Sequence, residues 1–129
     1  MRSRIALAQA RAWRLDVGHT DMDVARPLRV RALTRRAYRH ARKGRIRKAV
    51  VALRERVALC GDGPSWVRLA GMLLRAGSQD CALHALNQAL FSYRRSGATG
   101  RARTVSNMIL QLNPGDRQAS RYRDSSRAA

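Results

Sequence analysis

Residues 66–89, WVRLAGMLLRAGSQDCALHALNQA, decide the fold of this chain. Apolar residues recur three and four positions apart before Gly77 and again after it, which is the period of an α-helix with one buried face. Gly77 interrupts the pattern, as glycine does at the C-terminal end of a helix. Ala70 and Ala82 are small enough to let two helices approach closely, and Trp66 fills the space beside them. The stretch therefore predicts two antiparallel helices joined by a short turn.

The pattern recurs along the chain. Gly44-x₄-Ala49-x₃-Leu53 is repeated 33 residues later as Gly77-x₄-Ala82-x₃-Leu86. A looser third copy, Tyr93-x₃-Gly97-x₄-Ala102, ends in Leu112-Asn113-Pro114. Its glycine lies only 20 residues after Gly77, so the fourth helix would have to close one unit and open the next. We predict about two and a half helix-pair units over residues 28–123.

The central unit resembles the tetratricopeptide repeat, whose pattern is W-x₂-L-G-x₂-Y…A-x₃-F. The resemblance implies an all-α solenoid of antiparallel helix pairs, and a non-enzymatic adaptor or scaffold. Its concave face, built mainly by the first helix of each pair, would hold a segment of a partner. Such units bury their apolar stripes only by stacking, and about three are needed for stability. We therefore expect either capping by the end segments or pairing, with a partner or as a homo-oligomer.

The domain organisation follows from composition. Residues 1–26 are predicted to be a weakly ordered basic segment, with a loop from Asp16 to Asp23, residues 27–123 the repeat domain, and residues 124–129 a disordered tail. Pro27 suits the first turn of a helix, and Pro64 suits another, with Asp62 or Ser65 as its cap. Ser78 can cap the helix that follows Gly77. A mitochondrial targeting peptide, and translation starting at Met22, are alternative interpretations of the first residues.

Charge is the second strong feature. The chain of 129 residues has 27 basic and 8 acidic residues, a net charge of +19, which predicts attraction to polyanions. Residues 26–56 contain thirteen of the basic residues and one acid, Glu55. Because only Lys43 and Lys48 are lysines, a GC-rich genome is an alternative explanation of the arginine content.

This basic block supplies the candidate partner-binding residues. They are Arg31, Arg35, Tyr38, Arg39, Arg42, Lys43 and Arg45. Arg35, Arg39 and Arg42 follow helical spacing and would form a ridge. An arginine side chain pairs with a carboxylate or a phosphate through two parallel hydrogen bonds. We expect the partner to be an acidic protein or peptide segment.

Three alternatives remain open from the sequence. The basic block can be a solvated surface without a partner. The protein can be a small basic nucleic-acid-associated protein, although stacking sites need exposed aromatic residues, and Trp66, Phe91 and Tyr93 are predicted on or beside the core. The third alternative is a subunit of a larger assembly that completes its core there.

The sequence carries no recognisable catalytic motif, so we expect no enzyme, no cofactor and no metal site. It lacks the phosphate-binding loop, G-x-S-x-G and H-E-x-x-H. Cys60 and Cys81 are predicted to be buried structural residues, and His40 a packing residue. Cys81 and His84 could share a helix face but make only one pair of ligands. Without an apolar run of about 18 residues we expect no transmembrane segment, and a cytoplasmic location.

Overall fold

A computed structural model describes residues 17–128 of the chain, with side chains described over residues 25–125. The described part is helical and contains no strand. The helices are α1 (Val17–Arg42), α2 (Ile46–Leu59), α3 (Gly63–Arg75), α4 (Gln79–Ser96), α5 (Thr99–Leu112) and α6 (Arg117–Ala128). From α2 to α6 each helix packs against the next, which confirms the all-α fold and is consistent with a solenoid of about two and a half repeats.

The chain divides into two compact units within α1. The first is Met1–Ala32, and its described side chains are exposed over residues 25–29. The second is Leu33–Ala129, which contains the end of α1 and helices α2 to α6. The core and all the cavities described below belong to this second unit.

Small residues dominate the core of the second unit. Of its 21 buried apolar side chains among the described residues, ten are alanines. Ala49, Ala82 and Ala89 are fully inaccessible to solvent. An alanine at a helix contact lets the two axes approach, and the leucines beside it fill the remaining space. Ala70 and Ala82, which the sequence predicts at the contact of the two helices, are both buried, at 1% and 0% exposure, and α3 packs against α4.

Glycine ends three of the helices where the sequence predicts. Gly77 follows α3 with φ of +81°, a left-handed conformation that costs an L side chain energy. The next amide, of Ser78, donates a hydrogen bond of 2.9 Å to the carbonyl of Leu73 and so closes the helix end. Gly44 and Gly97 have the same left-handed conformation.

The repeat period changes once. Ala49 and Leu53 of α2 are fully buried, and so are Ala82 and Leu86, their equivalents in α4 at the predicted offset of 33. In the first helices of the pairs, the buried set Leu69, Ala70 and Leu73 of α3 corresponds instead to Val105, Ser106 and Ile109 of α5, an offset of 36. The cause is α4, which has 18 residues against 14 in α2, about one turn more.

A buried arginine joins three helices. Arg56 of α2 is 9% exposed. Its Nε donates to the hydroxyl of Ser65 in α3 at 2.9 Å, and its Nη1 donates to the hydroxyl of Thr34 in α1 at 2.6 Å. Ser65 in turn donates to the carboxylate of Asp62 through its hydroxyl at 2.6 Å and its amide at 3.0 Å. Asp62 is therefore the cap of α3, as predicted, and Pro64 lies in the first turn.

Four local predictions are wrong. Residues 17–23, predicted as part of a loop, belong to α1, and Pro27 lies inside this helix rather than in its first turn. A proline inside a helix leaves one carbonyl without its amide donor, here that of Asp23, but the helix can continue past it. The last helix continues to Ala128, past the predicted start of the tail at Asp124. The hydroxyl of Ser78 makes no capping hydrogen bond to α4. Residues 1–16 and Ala129 lie outside the described residues.

Candidate functional site

A groove crosses the first helices of the pairs. Its volume is about 660 Å³, and its walls come from α1, α3 and α5, with one residue from α4. The residues that line it are Tyr38, Pro64, Val67, Arg68, Gly71, Met72, Arg75, Tyr93 and Arg101. Because all but Tyr93 belong to first helices or their first turns, the groove lies where the tetratricopeptide resemblance implies a partner-binding surface.

The floor of the groove is open above Gly71. A Cβ added at Gly71 would meet no atom within 4 Å. Beside it, Val67 is half-buried and Met72 is almost fully buried. Tyr93 of α4 reaches the groove from below and is 8% exposed, with its ring packed over Gly63. A side chain of a bound segment could therefore enter above Gly71 and contact apolar surface.

The walls of the groove are positively charged. Arg68, Arg75 and Arg101 are exposed, and no carboxylate lines the cavity. Within the described part of the chain, none of these three guanidinium groups forms an ion pair. Three like charges around one cavity raise its positive potential, which attracts anionic groups.

Arg68 is held in place by Tyr38 across the groove. Its Nη1 donates a hydrogen bond of 3.0 Å to the Tyr38 hydroxyl, and its guanidinium lies 5.9 Å from the centre of the Tyr38 ring. A cation at this distance from an aromatic face is attracted to the ring. The contact fixes one charged wall of the groove before any ligand binds, so less side-chain freedom is lost on binding.

The structure separates the residues that the sequence analysis grouped together. Of the predicted partner-binding residues, only Tyr38 lines the groove. Those that lie exposed on α1 or in the turn after it, within the same compact unit, are Arg35, Arg39, Arg42, Lys43 and Arg45. Arg31 is exposed and belongs to the other compact unit.

Part of the basic block does form a charge cluster around His40. This side chain is half-buried, and its predicted packing role stays a prediction. Partial burial lowers the pKa of His40, and the positive charges of Lys48, Arg45, Arg39 and Arg36 lower it further. The charges of two predicted binding residues, Arg39 and Arg45, thus both lower the pKa of His40 at the turn between α1 and α2.

The groove arginines were missed although the sequence contained a signal for them. The offset of 33 residues that aligns Ala37 with Ala70 also aligns Arg35 with Arg68 and Arg42 with Arg75. Applied to the basic stripe of α1, this offset predicts that Arg68 and Arg75 lie on the equivalent face of α3. Arg101 has no such signal, because the offset changes before α5.

The cysteines differ from their prediction. Cys81 is exposed and Cys60 is half-buried, and both are free thiols. Cys81 lines a second cavity between α2, α3 and α4, about 470 Å³, with Trp66 and His84, whose rings meet edge to face at 6.3 Å. Among the described residues no group of three His, Cys, Asp or Glu side chains could hold a metal ion.

The scan against protein-family models matches no family, and the search of curated proteins finds no match. Among the helices of residues 17–128, none combines the length and apolar character needed to cross a membrane.

Proposed function

We propose that this protein is a non-enzymatic adaptor, similar to tetratricopeptide-repeat proteins, that binds an acidic segment of a partner protein. The observation that supports this function is the groove across α1, α3 and α5. Its lining has no carboxylate and includes three arginines that form no ion pair with any described residue. Peptide binding in a groove lined by helices needs no cofactor and no catalytic group, and none is proposed.

The positions of the arginines suggest how the segment is recognised. Arg68 and Arg75 are seven residues apart on α3, about 10 Å along the helix axis. A segment in the polyproline II conformation has three residues per turn, so side chains three residues apart lie on the same side, about 9 Å from each other. Two acidic side chains at this spacing can each pair with one guanidinium, while one of the two residues between them contacts the open surface above Gly71. Arg68 and Arg75 are exposed, and an exposed ion pair contributes about 0.2–1 kcal/mol.

A charge-reversal experiment tests the proposed function. The probe is a labelled peptide with Glu at positions three apart, compared with the same peptide carrying Gln. We expect Arg68→Glu/Arg75→Glu to weaken binding of the Glu peptide at least about tenfold, which is 1.4 kcal/mol. The control is Arg47→Glu/Arg121→Glu, which makes the same change in net charge at exposed residues outside the groove. Equal weakening by the two double variants, measured by fluorescence anisotropy, would reject a specific groove.

A steric variant tests the groove without changing charge. Gly71→Leu places a side chain in open space and should leave the fold intact, because a Cβ there meets nothing within 4 Å. We expect the variant to melt at or above the wild-type temperature and to lose most of its peptide binding. Peptide binding at wild-type affinity by the folded variant would show that the segment binds elsewhere.

A further inference from the structure

Phe91 is the only phenylalanine of the chain, and it faces solvent. The helical pattern predicts this residue on or beside the core, but its side chain is 58% exposed on α4. It lies at the edge of a third cavity of about 410 Å³. The residues lining this cavity are Gly61, Trp66, Gln88, Phe91, Ser92, Arg95 and Ser96. The chain therefore has an exposed aromatic residue on which a base could stack.

The aromatic ring is paired with a cation. Arg95 lies one turn after Phe91, and its guanidinium is 5.6 Å from the centre of the ring. Residues four apart share one face of a helix, so the ring and the charge are presented to solvent together. The site offers a planar apolar surface and a phosphate-binding group within the span of a single nucleotide.

The other lining residues supply polar groups and no negative charge. Gln88 and Ser92 are half-buried, one turn apart along α4. The indole nitrogen of Trp66 lies at the far side, near Gly61, where an added Cβ would be 3.8 Å away. Amide and hydroxyl groups can bond to the edges of a base. Because no carboxylate lines the cavity, nothing there repels a phosphate.

We propose that this cavity binds single-stranded nucleic acid, with one base stacked on Phe91 and the adjacent phosphate paired with Arg95. A single strand presents a planar base and an anion at every residue, which matches an aromatic ring beside a guanidinium. The net charge of +19 attracts such a polyanion from a distance. No residue lines both this cavity and the groove of α1, α3 and α5, so the inference does not depend on the proposed adaptor function.

The test separates base stacking from general attraction to phosphate. The probes are a labelled oligodeoxythymidine of about 12 nucleotides and an abasic strand of the same length. We expect Phe91→Ala to bind the thymidine strand about 5- to 150-fold more weakly than the wild type, and to bind the abasic strand equally. The matched control is Val51→Ala, because Val51 is an apolar side chain of α2 with nearly the same exposure, 57%.

The remaining outcomes are also decisive. Phe91→Trp should retain the affinity for the thymidine strand, since it keeps a stacking surface. Equal binding by Phe91→Ala and wild type, or equal losses on both strands, would overturn the proposal. A competition experiment gives a third test, with a peptide of alternating Tyr and Glu as the competitor. The proposal would also be overturned if this peptide displaced the thymidine strand from the wild type at a lower concentration than unlabelled thymidine strand does. Phe91 is exposed, so we expect its variants to melt as the wild type does.

Discussion

Gly63 and Gly71 of α3 have opposite environments. A Cβ on Gly63 would overlap the ring of Tyr93, whereas a Cβ on Gly71 would meet nothing within 4 Å. In the interior of a helix, alanine is about 1 kcal/mol more favourable than glycine. We therefore expect Gly71→Ala to raise the free energy of unfolding by up to about 1 kcal/mol. Gly63→Ala should lower it by about 1–3 kcal/mol through overpacking.

Urea denaturation of the two alanine variants measures this difference. Both substitutions add one methyl group to the same helix, so each is the control for the other. A stabilised Gly63→Ala variant would contradict the close approach of Tyr93 to α3. The ring of Tyr93 also lines the groove, so Gly63 helps to set the depth of the groove floor.

Arg56 shows what a sequence pattern does not reveal. The helical period places Arg56 on the buried face of α2, seven residues after Ala49, but a charged residue is expected outside, so spacing and residue type disagree at this position. Its burial depends on two hydroxyls, of Ser65 and Thr34, that come from other helices. Such a network could not be predicted without knowing how α1, α2 and α3 pack.

The network predicts that lysine cannot replace Arg56. A guanidinium donates in two directions from a rigid plane, whereas an ammonium on a flexible stem cannot copy this geometry. We expect Arg56→Lys to lower the free energy of unfolding by about 1–2 kcal/mol, the value of one or two hydrogen bonds. Chemical denaturation measures it, with Arg54→Lys, at an exposed neighbour, as the control expected to change little.

At the level of the helices, the cap of α3 should make stability depend on pH. Burial would raise the pKa of Asp62, but hydrogen bonds from Ser65 and Cys60 and the charge of Arg56 outweigh it, so that the pKa is lowered. A carboxylate with a lowered pKa stabilises the folded state above its unfolded pKa of about 3.9, and this contribution is lost as pH falls through the folded value.

Asp62→Asn separates this charge from the cap itself. Asparagine caps helices about as well as aspartate but does not titrate in this range. We expect the wild type to be more stable than Asp62→Asn at pH 7, and the difference to shrink below about pH 4. The measurement is the unfolding free energy of both proteins at several pH values. A constant difference down to pH 2.5 would refute the role of the charge.

Helix ends were predictable where a local signal decides them. Glycines with positive φ end α1, α3 and α4, and Asp62 begins α3, all as expected from the sequence. The start of α1 was not predictable from Pro27, because a proline permits a helix start but does not require one. The sequence predicts a basic stripe on α1. The arginines that line the groove, however, belong to α3 and α5 and are scattered in the sequence.

At the level of the whole molecule, the pKa of one histidine side chain measures the local positive potential. His40 lies among Lys48, Arg45, Arg39 and Arg36, and its pKa is lowered by partial burial and by these charges. Salt screens charges at exposed sites but leaves burial unchanged. We expect the pKa of His40, followed by NMR of its imidazole, to lie below 6.5 at low salt and to rise as salt is added. A pKa that falls with salt would contradict the cluster. Arg45→Gln should raise the pKa at low salt.

The extra turn of α4 limits how far the pattern of paired arginines extends along the chain. With an offset of 36, the positions of Arg68 and Arg75 are taken in α5 by Thr104 and Gln111, so the paired arginines of α1 and α3 are not continued. In the proposed adaptor, a segment lying along α3 therefore meets one pair of arginines of fixed spacing, Arg68 and Arg75. We expect a longer acidic segment to gain no further pair of this kind, and a segment with a single acidic residue to lose one.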